Sequence, residues 1–151
     1  MSKFTFENIL DRDGILVYKT KGVSMRPLLR QDRDLVVIEK KDPQTRLERF
    51  DVALYKRGEQ YVLHRVIYVR DGGYDIRGDN TFMLEQVPEK AVIGVLKSIK
   101  RSGRSISISD KGYMFYVRFW NLIYPIRYLI RGTRVFGGRI KKKLKKIKKS
   151  S

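Results

Sequence analysis

Apolar positions along the chain fall first into short runs and then into one long block. Ile15-Leu16-Val17-Tyr18, Leu35-Val36-Val37-Ile38, Val52-Ala53-Leu54-Tyr55 and Tyr61 to Val69 have the length and the β-branched and aromatic content of strands. Tyr74-Asp75-Ile76, Val92 to Ile99 and Ser105 to Ile108 continue the series. Turn signals separate them at Asp13-Gly14, Arg57-Gly58-Glu59, Asp71-Gly72-Gly73 and Gly103. Two hairpins are therefore expected, one around Gly58 and one around Gly103. Lys40 to Glu48 is a polar connection containing Asp42-Pro43. Residues 3–10, with Phe4, Phe6, Ile9 and Leu10, suit a short amphipathic helix, and Met25 to Leu29 a single helical turn. Arg65 and Arg77 read as solvent-facing flanks of their strands. There is no internal repeat, and the pattern predicts a mainly β body.

From Gly112 the character changes. Tyr113 to Ile130 is almost wholly apolar and aromatic, interrupted by Arg118, Asn121, Pro125 and Arg127. On a helical wheel Arg118, Asn121 and Pro125 lie near one face, and Arg127, Arg131 and Arg134 near the opposite one. The polar stripe changes phase at Pro125, which predicts a kink or two half-helices there. Roughly 18 residues is the lower limit for a spanning helix, and each arginine at mid-depth costs about 2.5–3.5 kcal/mol. An in-plane amphipathic helix is the better physical reading. The expected organisation is a β body at 1–110, an amphipathic aromatic helical segment at 111–134 and a basic tail at 135–151.

Charge follows the same division. Residues 1–110 carry 21 Lys+Arg and 16 Asp+Glu, whereas residues 111–151 carry 13 Lys+Arg and no acid. A tail such as Lys141 to Lys149 beside aromatic residues attracts a polyanion, and an anionic lipid surface fits best. The lysine runs lack a helix-turn-helix or aromatic RNA-binding box, which argues against specific nucleic-acid recognition. Met1-Ser2-Lys3-Phe4 leads into a polar stretch, so no secretory leader is expected. With no cysteine and one histidine, disulfides are excluded and a zinc site lacks its usual ligands. No cofactor is expected.

That one histidine, His64, sits in a strand-like run, Tyr61-Val62-Leu63-His64-Arg65-Val66-Ile67. Upstream stands Gly22-Val23-Ser24-Met25-Arg26-Pro27, and downstream Arg77-Gly78-Asp79-Asn80. A serine hydroxyl needs a base within hydrogen-bond reach to act as a nucleophile. Histidine titrates near neutrality, and a carboxylate can hold its tautomer. The bland readings are a cap or turn serine for Ser24, a satisfied core imidazole for His64 and a turn aspartate for Asp79.

The three segments together resemble the LexA/signal-peptidase superfamily of serine proteases. Gly22 to Pro27 is similar to its nucleophile box. Arg33-Asp34-Leu35-Val36-Val37 and Phe50 to Tyr55 are similar to the strands that follow, and Tyr61 to Ile67 to its base box. Many members carry lysine at the base position; endoplasmic-reticulum-type signal peptidases carry histidine, as here. Arg77 to Asn80 resembles the Gly-Asp-Asn box. Glu85 falls where histidine-type members often have a second aspartate.

The likeness spans roughly residues 15–100. It implies a folded β-sheet catalytic domain with a C-terminal amphipathic helix and basic tail, and cleavage of exported or co-encoded peptide precursors. It also implies Ser24 as nucleophile, His64 as general base, Asp79 as orienter, Glu85 as a second acid and the Ser24 backbone N–H as an oxyanion donor. Two departures stand out. Signal peptidases often carry a hydroxyl residue two before the nucleophile, and Gly22 has no side chain; one missing donor costs roughly 2.7–4 kcal/mol. The family's N-terminal anchor has no counterpart here, so peripheral membrane contact is expected from the C-terminal helix and tail. The alternative is an inactive relative that binds lipid or nucleic acid through its cationic C-terminus.

Overall fold

The computed structural model describes residues 5–134. A helix, α1 (Phe6–Asp13), precedes strands β1 (Ile15–Lys19) and β2 (Asp34–Lys40). Strands β3 (Val52–Arg57), β4 (Gln60–Arg70), β5 (Gly73–Arg77) and β6 (Glu85–Pro88) follow. A 3-10 turn (Glu89–Ala91) leads into β7 (Val92–Arg101), then β8 (Arg104–Ser107) and α2 (Lys111–Leu122). The strands form one antiparallel sheet in the order β1-β2-β7-β3-β4-β5-β6, with β8 paired to β7. The body is thus mainly β, as the short β-rich runs between turn signals predict.

Local chemistry moves some boundaries. The first helix runs from Phe6 to Asp13, three residues past the expected end at Leu10, set by its caps; residues 3–4 of the expected span lie outside the described residues. The Thr5 hydroxyl accepts from Asn8 N–H at 3.3 Å, and Gly14, at φ 72°, closes the other end on the Leu10 carbonyl. Strand β6 has no counterpart among the sequence expectations. Only Val87 of its four residues is buried, so it shows no apolar run.

Arg65 and Arg77 do not face solvent. Both are buried, directly opposite one another on β4 and β5. Tyr55, Ala53, Val66, Tyr74, Ile76 and Val87 form the main part of one core cluster.

Two features of the sheet prepare the site. Strand β5 pairs with β4 from Arg65 onward, so Gln60–His64 pair with β3 and, among the described residues, have no strand on their other edge. The link between β1 and β2 is a turn at residues 24–28, followed by Arg30 to Asp34. Buried Met25, Leu28 and Leu29 anchor that turn from inside. Asp34 ties its far end: it accepts from Arg30 N–H (2.9 Å), Arg33 and Arg101, while Arg101 also donates to the Leu28 carbonyl (2.7 Å). Burial raises the Asp34 carboxyl, but Arg33, Arg101 and the Arg30 N–H outweigh it and hold the value well below the usual range.

Two compact units divide the chain, one through Met114 and the other from Phe115. In the second unit α2 ends at Leu122, and a third helix, α3, covers residues 124–134 of the described chain. The break at Ile123 precedes Pro125, whose missing N–H and fixed φ are tolerated in a first helical turn. The change of phase expected at Pro125 is thus a break between two helices. The basic tail at 135–151 lies outside the described residues.

Candidate active site

Ser24 and His64 line one cleft of about 820 Å³. Ser24 is half-buried on the β1–β2 turn, and His64 is half-buried on the Gln60–His64 half of β4. They converge on Gly78. A Cβ added there would lie 2.6 Å from the Ser24 carbonyl oxygen and 3.1 Å from His64 Nε2. Any residue but glycine would force the serine turn and the imidazole apart.

The rest of the Gly-Asp-Asn segment reinforces this meeting. Asn80 N–H donates to the Ser24 carbonyl at 2.7 Å, and its side-chain amide donates to the Val23 carbonyl at 3.2 Å. Two successive carbonyls of the serine turn are therefore held by one residue. Asp79 is buried, and both its oxygens accept from Arg65, at 2.7 and 2.8 Å. The third nitrogen of that guanidinium donates to the Phe50 carbonyl (2.9 Å) and Tyr113 Oη (3.2 Å). Phe50 holds the unusual φ of 80°, and its N–H is bonded to the Val66 carbonyl. Arg65 thus pins the segment that reaches Ser24 to the strand that carries His64.

Asp79, expected to orient the imidazole, is placed by this pairing with Arg65. The partner of His64 Nδ1 is Tyr55 Oη, at 3.3 Å. Tyr55 donates its own proton to Glu85 Oε2 at 2.7 Å, and Arg57 donates to the same oxygen at 3.1 Å. A phenol that has given its proton to a carboxylate can only accept from Nδ1. The network therefore assigns the Nδ1–H tautomer, with the Nε2 lone pair on the Gly78 side. Burial and Glu85 both raise the Tyr55 pKa, so it stays a neutral phenol. Glu85 acts on His64 through Tyr55.

Electrostatics match a neutral base. Burial lowers the His64 pKa below its ordinary 6.5; Glu85 opposes this, Arg57 adds to it and Asp79 opposes it. At neutral pH the imidazole is uncharged and able to accept a proton.

Of the residues expected at the site, Ser24 and His64 come together, Glu85 joins through Tyr55, and Asp79 serves the scaffold beneath them. Gly22 has φ 88°, a left-handed conformation that disfavours a side chain, and its N–H donates to Gln31 Oε1 at 3.0 Å. Among the described residues no acceptor is bonded to the Ser24 N–H, which leaves that donor for an oxyanion. Sequence reasoning missed Tyr55. A two-residue turn at 58–59 sets Ala53 opposite His64 and Tyr55 opposite Val62, so Tyr55 lies on the diagonal from His64 on the same face.

No protein-family model matches the chain, and no curated protein matches it significantly. The functional reading therefore rests on this geometry and on the resemblance of the three boxes.

Proposed function

We propose that the chain is a serine endopeptidase of the LexA/signal-peptidase type, in its histidine form, working peripherally at an anionic membrane surface. Ser24 Oγ attacks a scissile carbonyl while His64 Nε2 takes its proton. The Ser24 N–H steadies the oxyanion, and His64 then protonates the leaving amine. In the second half Nε2 takes a proton from water, which attacks the acyl-serine; the ester bond then breaks, Nε2 returns the proton to Ser24 Oγ, and the new carboxyl end leaves. Tyr55, backed by Glu85, holds the imidazole in the tautomer that keeps Nε2 open.

The meeting at Gly78 supports this most: the Ser24 backbone and His64 Nε2 share one point that only glycine leaves free. Treatment with a serine-reactive probe, followed by peptide mapping, tests it. Label on Ser24 that disappears in His64→Ala supports the dyad; an unlabelled Ser24 in folded protein overturns it.

Membrane contact is supported by the second unit. Phe115, Phe119 and Leu122 on α2, and Ile126 and Leu129 on α3, are exposed and fall at spacings of three or four within each helix, an apolar stripe on each. Arg127 lies over Trp120 at 3.7 Å, a cation at an aromatic ring as in a headgroup layer. Among the described residues no helix is long and apolar enough to cross a membrane. Co-sedimentation with phosphatidylglycerol vesicles, but not with phosphatidylcholine ones, is the expected result.

One observation favours a second reading, an inactive relative binding lipid or nucleic acid through the cationic C-terminus: Asp79 is engaged by Arg65. Failure of the probe together with a salt-sensitive shift of DNA would support that reading.

A further inference from the structure

The cleft has a chemistry of its own beyond the Ser24–His64 pair. Its floor is aromatic: α1 delivers Phe6 between Tyr18 and Tyr61, with ring centroids 4.8 and 4.4 Å apart. Met25 and Leu29 extend this apolar surface. Cations line the cleft as well: Lys19, Lys21 and Arg57. Among the described residues lining it there is no aspartate or glutamate.

Two carboxylates bonded to residues that line the cleft, Glu7 and Glu85, are already engaged. Glu7 accepts from Tyr61 and pairs with Lys56 at 3.2 Å. Glu85 accepts from Tyr55 and Arg57, which neutralises Arg57. Lys19 and Lys21 differ from it. Both are exposed, and among the described residues neither ammonium lies in an ion pair, whereas Lys40, Lys41, Lys56 and Lys97 each have a carboxylate partner. Two unneutralised cations therefore stand beside an apolar floor, immediately before the serine turn.

We propose that this cleft selects peptides in which acidic side chains flank a short apolar core. The apolar residues would cover Phe6, Tyr18 and Tyr61, and the carboxylates would meet Lys19 and Lys21. This rests on the proteolytic reading for what becomes of the bound peptide, but binding can be measured without it. The cleft's volume lies in the range of ligand-sized sites. Exposed charge pairs of this kind give modest, salt-screened selectivity, about 5-fold for two contacts at low ionic strength.

The test uses the full chain carrying Ser24→Ala and two fluorescein-labelled peptides. Both share a Leu-Ala core, flanked in one by glutamates and in the other by lysines. Anisotropy titrations at low salt should give about 5-fold tighter binding of the glutamate peptide. Added Lys19→Glu and Lys21→Glu should reverse the preference, and Lys19→Gln with Lys21→Gln should abolish it. Lys90→Glu with Lys100→Glu makes the same change in net charge away from the cleft and should leave the preference in place. Equal binding of the two peptides overturns the proposal. So does equal loss of preference in the two glutamate pairs, which would assign it to overall charge. If the parent chain cleaves neither peptide while the selective binding holds, the proteolytic reading fails and the cleft assignment survives.

Discussion

His64 and Arg65 are neighbours on β4, and the strand's alternation sends them to opposite faces. One imidazole nitrogen meets Tyr55 at 3.3 Å, and the other edge of the ring faces an open cleft. Arg65 is fully buried, with two nitrogens on Asp79 and the third on Phe50 and Tyr113. The same Gly78-Asp79-Asn80 segment touches both faces. The difference teaches that this site separates reactivity from rigidity. The residue proposed to exchange protons is held by one side-chain hydrogen bond, on an anchor whose charged groups are fully committed. Mutations on the two sides should therefore fail in different ways.

The largest effect should come from the reactive side. Ser24→Ala and His64→Ala should each lower peptide cleavage about a thousandfold or more, because the two act as a unit. Their thermal unfolding should change little, since neither is a core hydrophobe. Loss of folding in both variants would collapse the distinction between the two faces. Arg65→Ala should fail in the opposite manner. Removing one partner of a buried ion pair costs about 3–5 kcal/mol, read as a lower urea midpoint. Any loss of cleavage should follow the loss of folded protein.

Gly78→Ala sharpens the comparison because Gly78 touches both sides of the proposed dyad. The new methyl would sit 2.6 Å from the Ser24 carbonyl oxygen, a backbone atom that cannot swing away. Overpacking of this kind costs about 1–3 kcal/mol. Cleavage should fall further than stability accounts for, since relief of the clash moves Ser24 from Nε2. Kinetics and urea titration on one preparation measure both.

Much of this arrangement was legible in the sequence, for identifiable reasons. The β4 hairpin was readable because Gly58 interrupts two β-rich runs, and the break before Pro125 because proline lacks an N–H. The Ser24 and His64 segments were singled out by their resemblance to a family's boxes, and the structure adds that Met25 is buried and that Gly22 holds a positive φ. The Asp79–Arg65 pair was not legible. An arginine in a strand usually faces water, and its burial depends on Asp79, Phe50 and Tyr113, which are distant in sequence. The short edge strand β6, which brings Glu85 to Tyr55, has a single buried apolar residue and leaves no periodic trace.

The smallest effects should appear in the pH profile, where they also have sign. An imidazole whose pKa lies below 6.5 keeps its free base after an ordinary histidine has charged, so the acid limb of kcat/KM should fall below pH 6.5. Glu85 opposes the lowering, because its charge stabilises the imidazolium. Glu85→Gln keeps an acceptor for Tyr55 but removes that charge, and should move the limb further down. Arg57 adds to the lowering, so Arg57→Gln should move it up. Opposite displacements would mean that the Tyr55–Glu85–Arg57 cluster acts on His64 by charge as well as by position. Arg65→Lys is the counterpart on the other face. It preserves charge while losing the two-pronged hold on Asp79, so stability should drop while the limb stays where it is. If it is instead the limb that moves in Arg65→Lys, the two faces of β4 are electrostatically one site, and the separation of reactivity from rigidity fails.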